Sequence, residues 1–398
     1  MRILHLSWNS PPAVGGIEAV VKFVHEGFIA AGDETTLVTT FASEERLAGS
    51  SAGWVLDEST VRRAPRPGLK AYAWFALREG WRLMKAGRGR GAMPEVIFCG
   101  SIPSAPAAWV LSRRFGVPFV VLMHGTDIMK EGWLYQRIVR FFIKRATVLC
   151  SNSENTARIL REAGVRGERI RVVYPGVDTT PFTGANPAPP EDATWIEPGR
   201  ERKVMVSVGR LIKRKGVLEF VDQVMPDVVR RMPDALLWVI GEDATKSLGH
   251  HERLKDKIAE RVAHHGLGDH VKLLGSVSDQ ALHASLYAAD VFLLPGLHIP
   301  NDVEGFGIVF LEAALAGTPA IATRAGGMPE AVGQGEAGLL VEAADPEAMI
   351  DAVVLMFEEP GLRDRLAEQA ERRAREEFAW PVVVERYRSV LADVVRSR

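Results

Sequence analysis

The sequence predicts an α/β protein built as two parallel-sheet domains, and three observations carry that expectation. At 398 residues the chain is too long for one ordinary hydrophobic core and suits two. Short apolar runs alternate with amphipathic stretches along its length, the pattern of parallel strands joined by crossover helices. Around Thr179–Arg202 the composition turns polar and rich in Pro, Gly, Ala and Thr, as at a linker between domains.

In the first half the expected strands are Arg2–Trp8, Glu34–Thr40, Val96–Cys99, Phe119–His124, Thr147–Ser151 and Arg171–Tyr174. Helices fit between them, for example Gly16–Ala31 and Asn155–Gly164, the second closed by its glycine. A second series follows at Lys203–Gly209, Ala235–Gly241, Val271–Leu274, Val291–Pro295, Pro319–Thr323 and Gly338–Val341. The halves match in size and style, so two Rossmann-like domains facing a central cleft are expected. Their bounds are 1–185 and 203–378, with a linker at 186–202. Residues 379–398 form a charged helix expected to pack back on the first domain.

The formal net charge of −1 argues against a general nucleic-acid binder. It conceals an asymmetry: residues 1–185 hold 24 Lys and Arg against 16 Asp and Glu, the remainder 25 against 34. A basic half joined to an acidic half suggests that one half meets an anionic surface. Cys99 and Cys150 lie in apolar runs and are expected as buried thiols in a reducing compartment rather than as a redox or metal site. No apolar run reaches the roughly 18–20 residues that cross a bilayer. The first residues enter a strand with nothing resembling a signal peptide, so a cytoplasmic protein, at most peripheral to a membrane, is expected.

Three loops can carry chemistry. Ser10–Glu18 follows a strand and opens a helix, and its pair Gly15-Gly16 lets backbone N–H groups approach an anion. A plain tight turn explains the pair equally well, and the dinucleotide fingerprint GxGxxG is absent. Ser207–Gly216 sets Arg210, Lys213, Arg214 and Lys215 just past a strand, where open α/β sheets bind ligands. These cations suit phosphate oxygens, and a solvated basic turn is the competing account. Glu304–Glu312 places Gly305 and Gly307 before an apolar helix that bears Glu312. A carboxylate there needs a partner, which a ribose diol or a structural salt bridge would supply. Asp-x-Asp, HExxH, Walker-A and CxxC motifs are all absent from the sequence.

Taken together the chain resembles the retaining glycosyltransferases of family 4, with the GT-B fold. The resemblance rests on PPxxGGxE at 11–18, HGTD at 124–127 and the turn Val173–Asp178. It continues with GRLxxxKG at 209–216, Ala289–Pro295, and E-x7-E at 304–312 followed by AGTP and GGMPE. Asp33 stands where the family frequently has His. The resemblance implies that Arg210 and Lys215 clasp the donor diphosphate in place of a metal, with Gly16 facing the same phosphates. Glu312 would bind the donor ribose, and Glu304 the hydroxyls of the transferred sugar, helped by the N–H groups of Phe306, Gly307 and Ile308. His124 would lie beside that sugar, and backbone near Gly275 and Val277 would address the base. No cofactor is implied beyond the nucleotide-sugar substrate. The loop Asp302-Val-Glu-Gly305 is similar to that of bacterial mannosyltransferases and favours GDP-mannose over a UDP-sugar. The expected product belongs to cell-envelope or polysaccharide synthesis. A noncatalytic sugar-nucleotide or glycan binder of the same fold is the alternative.

The acceptor side falls to the first domain. Between Thr60 and Arg90 lie Arg62, Arg63, Arg66, Lys70, Arg78, Arg82, Lys85, Arg88 and Arg90 against one acid, Glu79. Trp74, Leu77, Trp81 and Met84 follow helical spacing beside the Arg78, Arg82, Lys85 stripe. That is the pattern of a helix in an anionic membrane interface, as a lipid-linked acceptor would require, whereas a glycan acceptor would not. The competing account is a helix that buries its Trp residues in the core. Catalysis is expected to need closure of the two domains over the donor.

Overall fold

The computed structural model describes residues 1–13, 15–43, 47, 54–89, 91–129, 132–184, 188–197, 202–243 and 253–397. The chain divides into two compact units, Met1–Gly176 with Trp380–Arg398, and Val177–Ala379.

The first unit is a seven-stranded sheet of β1 (Arg2–Ser7), β2 (Glu34–Thr39), β3 (Val61–Arg63), β4 (Val96–Cys99), β5 (Phe119–Met123), β6 (Val148–Ser151) and β7 (Ile170–Val172). The order is β3-β2-β1-β4-β5-β6-β7, and every pairing is parallel. Helices cover both faces of such a sheet, so its central strands are buried throughout and read as continuous apolar runs. Strand β3 escaped the sequence reading. It lies at the edge, and its two arginines leave Val61 as the one buried residue. It is fixed instead by register, Leu37 opposite Val61 and Thr39 opposite Arg63.

The helix Trp380–Arg396 belongs to this unit. Trp380 stacks on Phe23 at 5.1 Å, Tyr387 meets Phe98 at 5.7 Å, and Val384 fills the space a side chain at Gly27 would need. Asp33 takes Arg388 of this helix at 2.7 Å and the Met1 amine at 2.6 Å. Burial would raise the Asp33 pKa, but these cations bring it below its ordinary value.

The second unit holds a six-stranded parallel sheet of β8 (Lys203–Val208), β9 (Ala235–Ile240), β10 (Val271–Gly275), β11 (Val291–Leu294), β12 (Ala320–Thr323) and β13 (Leu339–Val341). Its order is β10-β9-β8-β11-β12-β13. Met205, Leu237, Ile321, Val353 and Met356 lie at the centre of its core.

Two domain expectations need correction. The division falls after Gly176 rather than at 185, because Val177 donates to Phe378 O at 2.8 Å and bridges Ala379. The polar stretch expected as a linker at 186–202 is packed, where it is described, on the second unit. Phe182 is buried against His283 and Tyr287, and Trp195 Nε1 donates to Ser285 Oγ at 3.0 Å. Two aromatic anchors override a linker-like composition. Residues 186–187 and 198–201 of that stretch lie outside the described residues.

Candidate active site

In the second unit the chain winds outward from β8 through β9 to β10, then returns to β11 beside β8. The loops after β8 and β11 thus diverge at the carboxyl edge, where open sheets form a ligand crevice. The loop after β8 carries Gly209, Arg210 and the helical turn Lys213–Lys215. Gly209 has φ +135°, and a Cβ there would come within 2.8 Å of Lys215 Nζ. Gly216, at φ +69°, passes against the Pro295 carbonyl, where no Cβ fits. The two motif glycines therefore let Lys215 fold back over the end of β8. Arg210 is exposed and forms no ion pair among the described residues.

Lys215 Nζ lies 3.6 Å from Glu304 Oε2, and Arg214 Nε lies 3.4 Å from the same oxygen. Arg214 also donates from Nη1 to Asp302 Oδ1 at 2.7 Å. Burial alone would raise the pKa of Glu304, but Lys215 and Arg214 bring it below the usual value, so it is ionised. Arg214 is one of the four cations of the loop, and no motif marks it for this contact. Its partners lie almost ninety positions away, beyond any local signal.

The Glu304 loop rests on the Gly326-Gly327 turn. Gly327 N donates to Glu304 O at 2.9 Å, and side chains at Gly326 or Gly327 would strike the backbone of Glu304 and Gly305. The glycines of GGMPE thus seat the Glu304 loop by close backbone approach. Gly307 has φ +90°, and Phe306 is buried against Phe378 at 5.6 Å. The N–H groups of Gly307 and Ile308 donate to no protein acceptor among the described residues and are available to an anion or hydroxyl.

Glu312 lies on the short helix Val309–Leu315 and has no ion-pair partner among the described residues. Burial and then Asp279 raise its pKa to about 7, with Lys215 opposing them. A structural salt bridge is therefore not what holds it, and a hydroxyl donor would satisfy it. Gly275 and Val277 follow β10. Gly275, at φ +69°, lies against Glu242, whose carboxylate pairs with Lys255 at 2.9 Å. That pair flanks the expected base position and was not found from sequence, since neither residue falls in a motif.

In the first unit the equivalent switch lies between β1 and β4. Gly16 is exposed at the start of the helix Gly16–Ala30, and Val14 lies outside the described residues. Glu18 in the first turn accepts from Asn9 Nδ2 at 2.7 Å. A cavity of about 500 Å³ opens here, lined by Trp8, Asn9, Glu18, Phe41 and Leu69 among others. His124 follows β5 and is buried, its Nε2 2.9 Å from Gly100 O, which fixes the proton on that nitrogen. Asp127 accepts from the His124 N–H at 3.2 Å. Gly16 and His124 thus stand in the first unit, and the other expected site residues in the second.

The basic stretch at 60–90 contains β3 and the helix Leu69–Gly89. Tyr72, Ala76, Gly80 and Met84 face inward, while Trp74 is 69% exposed. The account that buries the Trp residues in the core therefore fails for Trp74. Trp81 is partly covered by Phe115 at 5.2 Å and Arg114. Glu79 is buried and ion-paired with Arg82 at 2.5 Å, and Arg63 ties Glu58 to the Pro11 carbonyl. Arg78, Lys85 and Arg88 remain outward, and Arg90 lies outside the described residues.

Comparison with known proteins agrees with this architecture. Residues 14–181 match the family described as Glycosyltransferase Family 4, and residues 194–373 that described as Glycosyl transferases group 1. Similar proteins include a glycogen synthase of Mycobacterium tuberculosis, 28% identical over 96% of this chain and 92% of the relative. A GDP-mannose-dependent monoacylated alpha-(1-6)-phosphatidylinositol monomannoside mannosyltransferase of Corynebacterium glutamicum is 28% identical over 97% and 96%. Among solved structures, Anabaena HepE in complex with UDP superposes with a TM-score of 0.75 at 20% identity over 99% of this chain and all of that one. Sucrose-phosphate synthase from Thermosynechococcus elongatus gives 0.77 at 20% identity over the full length of both.

Proposed function

The chain is a family 4 glycosyltransferase of GT-B fold, and from this premise we propose that it moves mannose from GDP-mannose to a lipid-linked acceptor, with retention and without a metal. The observation that carries the reading is the pairing of Lys215 and Arg214 with Glu304 at the switch point of the second sheet, with Arg210 on the same loop. Cleavage of a glycosyl phosphate develops negative charge on the leaving diphosphate. Arg210, which has no protein counter-ion among the described residues, and Lys215 supply preorganised positive charge for it. In this reading Glu304, kept ionised, accepts from hydroxyls of the sugar, and Glu312 accepts from the ribose. The N–H groups of Gly307 and Ile308 serve the same end, and backbone around Gly275 and Val277 meets the base. The resemblance assigns His124 to the sugar and Gly16 to the phosphates.

The mannose donor is supported by the Asp302–Gly305 loop and by the Corynebacterium relative. The lipid-linked acceptor is supported by the outward Trp74 and its neighbouring cations. The cavity at Trp8, Asn9 and Glu18 has the aromatic, amide and carboxylate groups that suit a polyol head group and lies where the helix Leu69–Gly89 begins. Thermal-shift titration with GDP and with UDP tests the donor, because a ligand of the folded state raises Tm. GDP is expected to shift it, and GDP-mannose turnover is expected to survive EDTA. A shift with UDP alone would replace mannose by a UDP-sugar, in keeping with the UDP complex of HepE.

A further inference from the structure

Next to the turn that carries His124, the first unit holds an apolar helix face outward. In the helix Trp133–Ile143, Val139 and Ile143 are buried, while Trp133, Leu134, Ile138 and Phe141 are 76%, 55%, 46% and 38% exposed. The same outward arc bears Arg137 and Arg140, and Lys144 and Arg145 follow it. Arg145 covers the Phe141 ring at 3.5 Å. From Gly132 to Ser153 the chain has no acidic residue.

This face continues into that of the helix Leu69–Gly89. Trp109, on the intervening helix Ala105–Phe115, meets Phe141 at 5.4 Å, and Phe115 meets Trp81 at 5.2 Å, with Arg113 and Arg114 exposed. The helix is also tied to the HGTD turn. Tyr135 Oη donates to Asp127 O at 3.0 Å, and Gln136 donates to Ile128 O.

We propose that the helix Trp133–Ile143 seats Trp133, Leu134, Ile138 and Phe141 in an anionic lipid interface, and so holds the His124–Asp127 turn at the bilayer surface. Exposed aromatic and aliphatic groups interleaved with Arg137, Arg140, Lys144 and Arg145 match that environment, where the stems of Arg and Lys lie among lipid and their heads meet phosphate. A second copy of the chain fits less well, because a twofold contact would set this acid-free face against its own cations. The inference rests on the lipid-linked acceptor reading, since a membrane-borne acceptor has to meet the His124 turn at the interface.

The test is co-sedimentation with vesicles of phosphatidylcholine, alone or mixed with phosphatidylglycerol. Binding to the anionic vesicles is expected to fall about tenfold or more in a W133S/L134S/I138S variant that keeps its circular dichroism spectrum. It is also expected to weaken with salt. Unchanged binding of that variant would overturn the proposal. Should the variant not fold, hydrogen exchange of the wild type decides: amides of 133–145 gain protection on adding anionic vesicles, and no gain overturns it. A wild-type dimer that becomes monomeric in the variant by light scattering also overturns it, assigning the face to a second copy. Release of nucleoside diphosphate by the wild type is measured separately. Its failure would reject the transferase reading and leave the vesicle result standing.

Discussion

Glu304 has two cations on one carboxylate oxygen, and they are held differently. Arg214 is anchored by Asp302 at 2.7 Å, whereas Lys215 stands 3.6 Å away with no second partner at its ammonium among the described residues. In the proposed reading, where a diphosphate draws Lys215 aside, Arg214 would keep Glu304 oriented and charged and so act as a positioning residue. Arg214→Gln is expected to lower kcat/KM about 100-fold, on the order of 3 kcal/mol, with the acid limb of the pH profile moving to higher pH as Glu304 loses a counter-ion. Arg214→Lys should recover part of the rate. An unmoved acid limb would reduce Arg214 to a structural role. Glu312 gives a second signature. Its pKa of about 7 lies above the ordinary 4.5, so the free protein loses stability as pH rises between those values, where the unfolded carboxyl ionises and the folded one still holds its proton. A ribose diol donates best to the ionised form, so the donor KM is expected to fall as pH rises through about 7. Glu312→Gln should flatten that dependence, weaken the donor about tenfold, and raise Tm above pH 7. Steady-state kinetics across pH 5.5–8.5 (about three units, spanning the His and shifted-Glu range) check both residues.

Elements owe their places to a few long-range contacts. The helix Trp380–Arg396 is pinned by Arg388 on Asp33 as well as by Trp380 on Phe23 and Tyr387 on Phe98. The folded pKa of Asp33 is depressed, so this contact stabilises above the unfolded pKa and is lost as pH falls below it. Asp33→Asn removes the buried carboxylate that Arg388 and the Met1 amine share, leaving Arg388 with the exposed Glu385 alone, and is expected to cost about 1–3 kcal/mol at pH 7. A drop in Tm of a few degrees at pH 7 that shrinks at pH 3 would be the readout, and an equal drop at both values would reject the ion pair as its cause. The helix Leu69–Gly89 shows how far spacing carries at this scale. Its inward stripe uses small Ala76 and Gly80 where a neighbouring helix comes close, Gly80 lying against Leu111. The large Trp74 is thereby left outside. Hydrophobic spacing identified the helix, and side-chain size decided which face went in.

At the level of the whole molecule, the chain closes its first unit with its last helix after building the second. Trp380, Val383, Tyr387 and Leu391 are buried in a unit whose strands end two hundred residues earlier at Val172. The second unit encloses its own core and every expected donor residue except Gly16 and His124. Removal of residues 380–398 is therefore expected to speed amide exchange in β1 and β4, where Phe98 loses Tyr387. Exchange in β8 and β11 should change little, and nucleotide should still protect them. Loss of nucleotide protection in the truncated chain would show that donor binding depends on the first unit.

The sequence by itself determined the parallel α/β class, the strands of both sheets save one, and the loops that bear the cations and carboxylates. These are local properties: a strand buried on both faces must be an apolar run, and a loop at its carboxyl end needs glycine where backbone passes close. The family resemblance then attached roles to Arg210, Lys215, Glu304 and Glu312. Tertiary structure decided what depends on residues far apart in the chain. Strand β3 exists because β2 offers it a register, and 177–197 belongs to the second unit because Phe182 and Trp195 find His283, Tyr287 and Ser285. Arg214 serves Glu304 because β11 returns beside β8. Burial and pairing are relations between distant residues, and a sequence pattern fixes only what neighbouring residues do to one another.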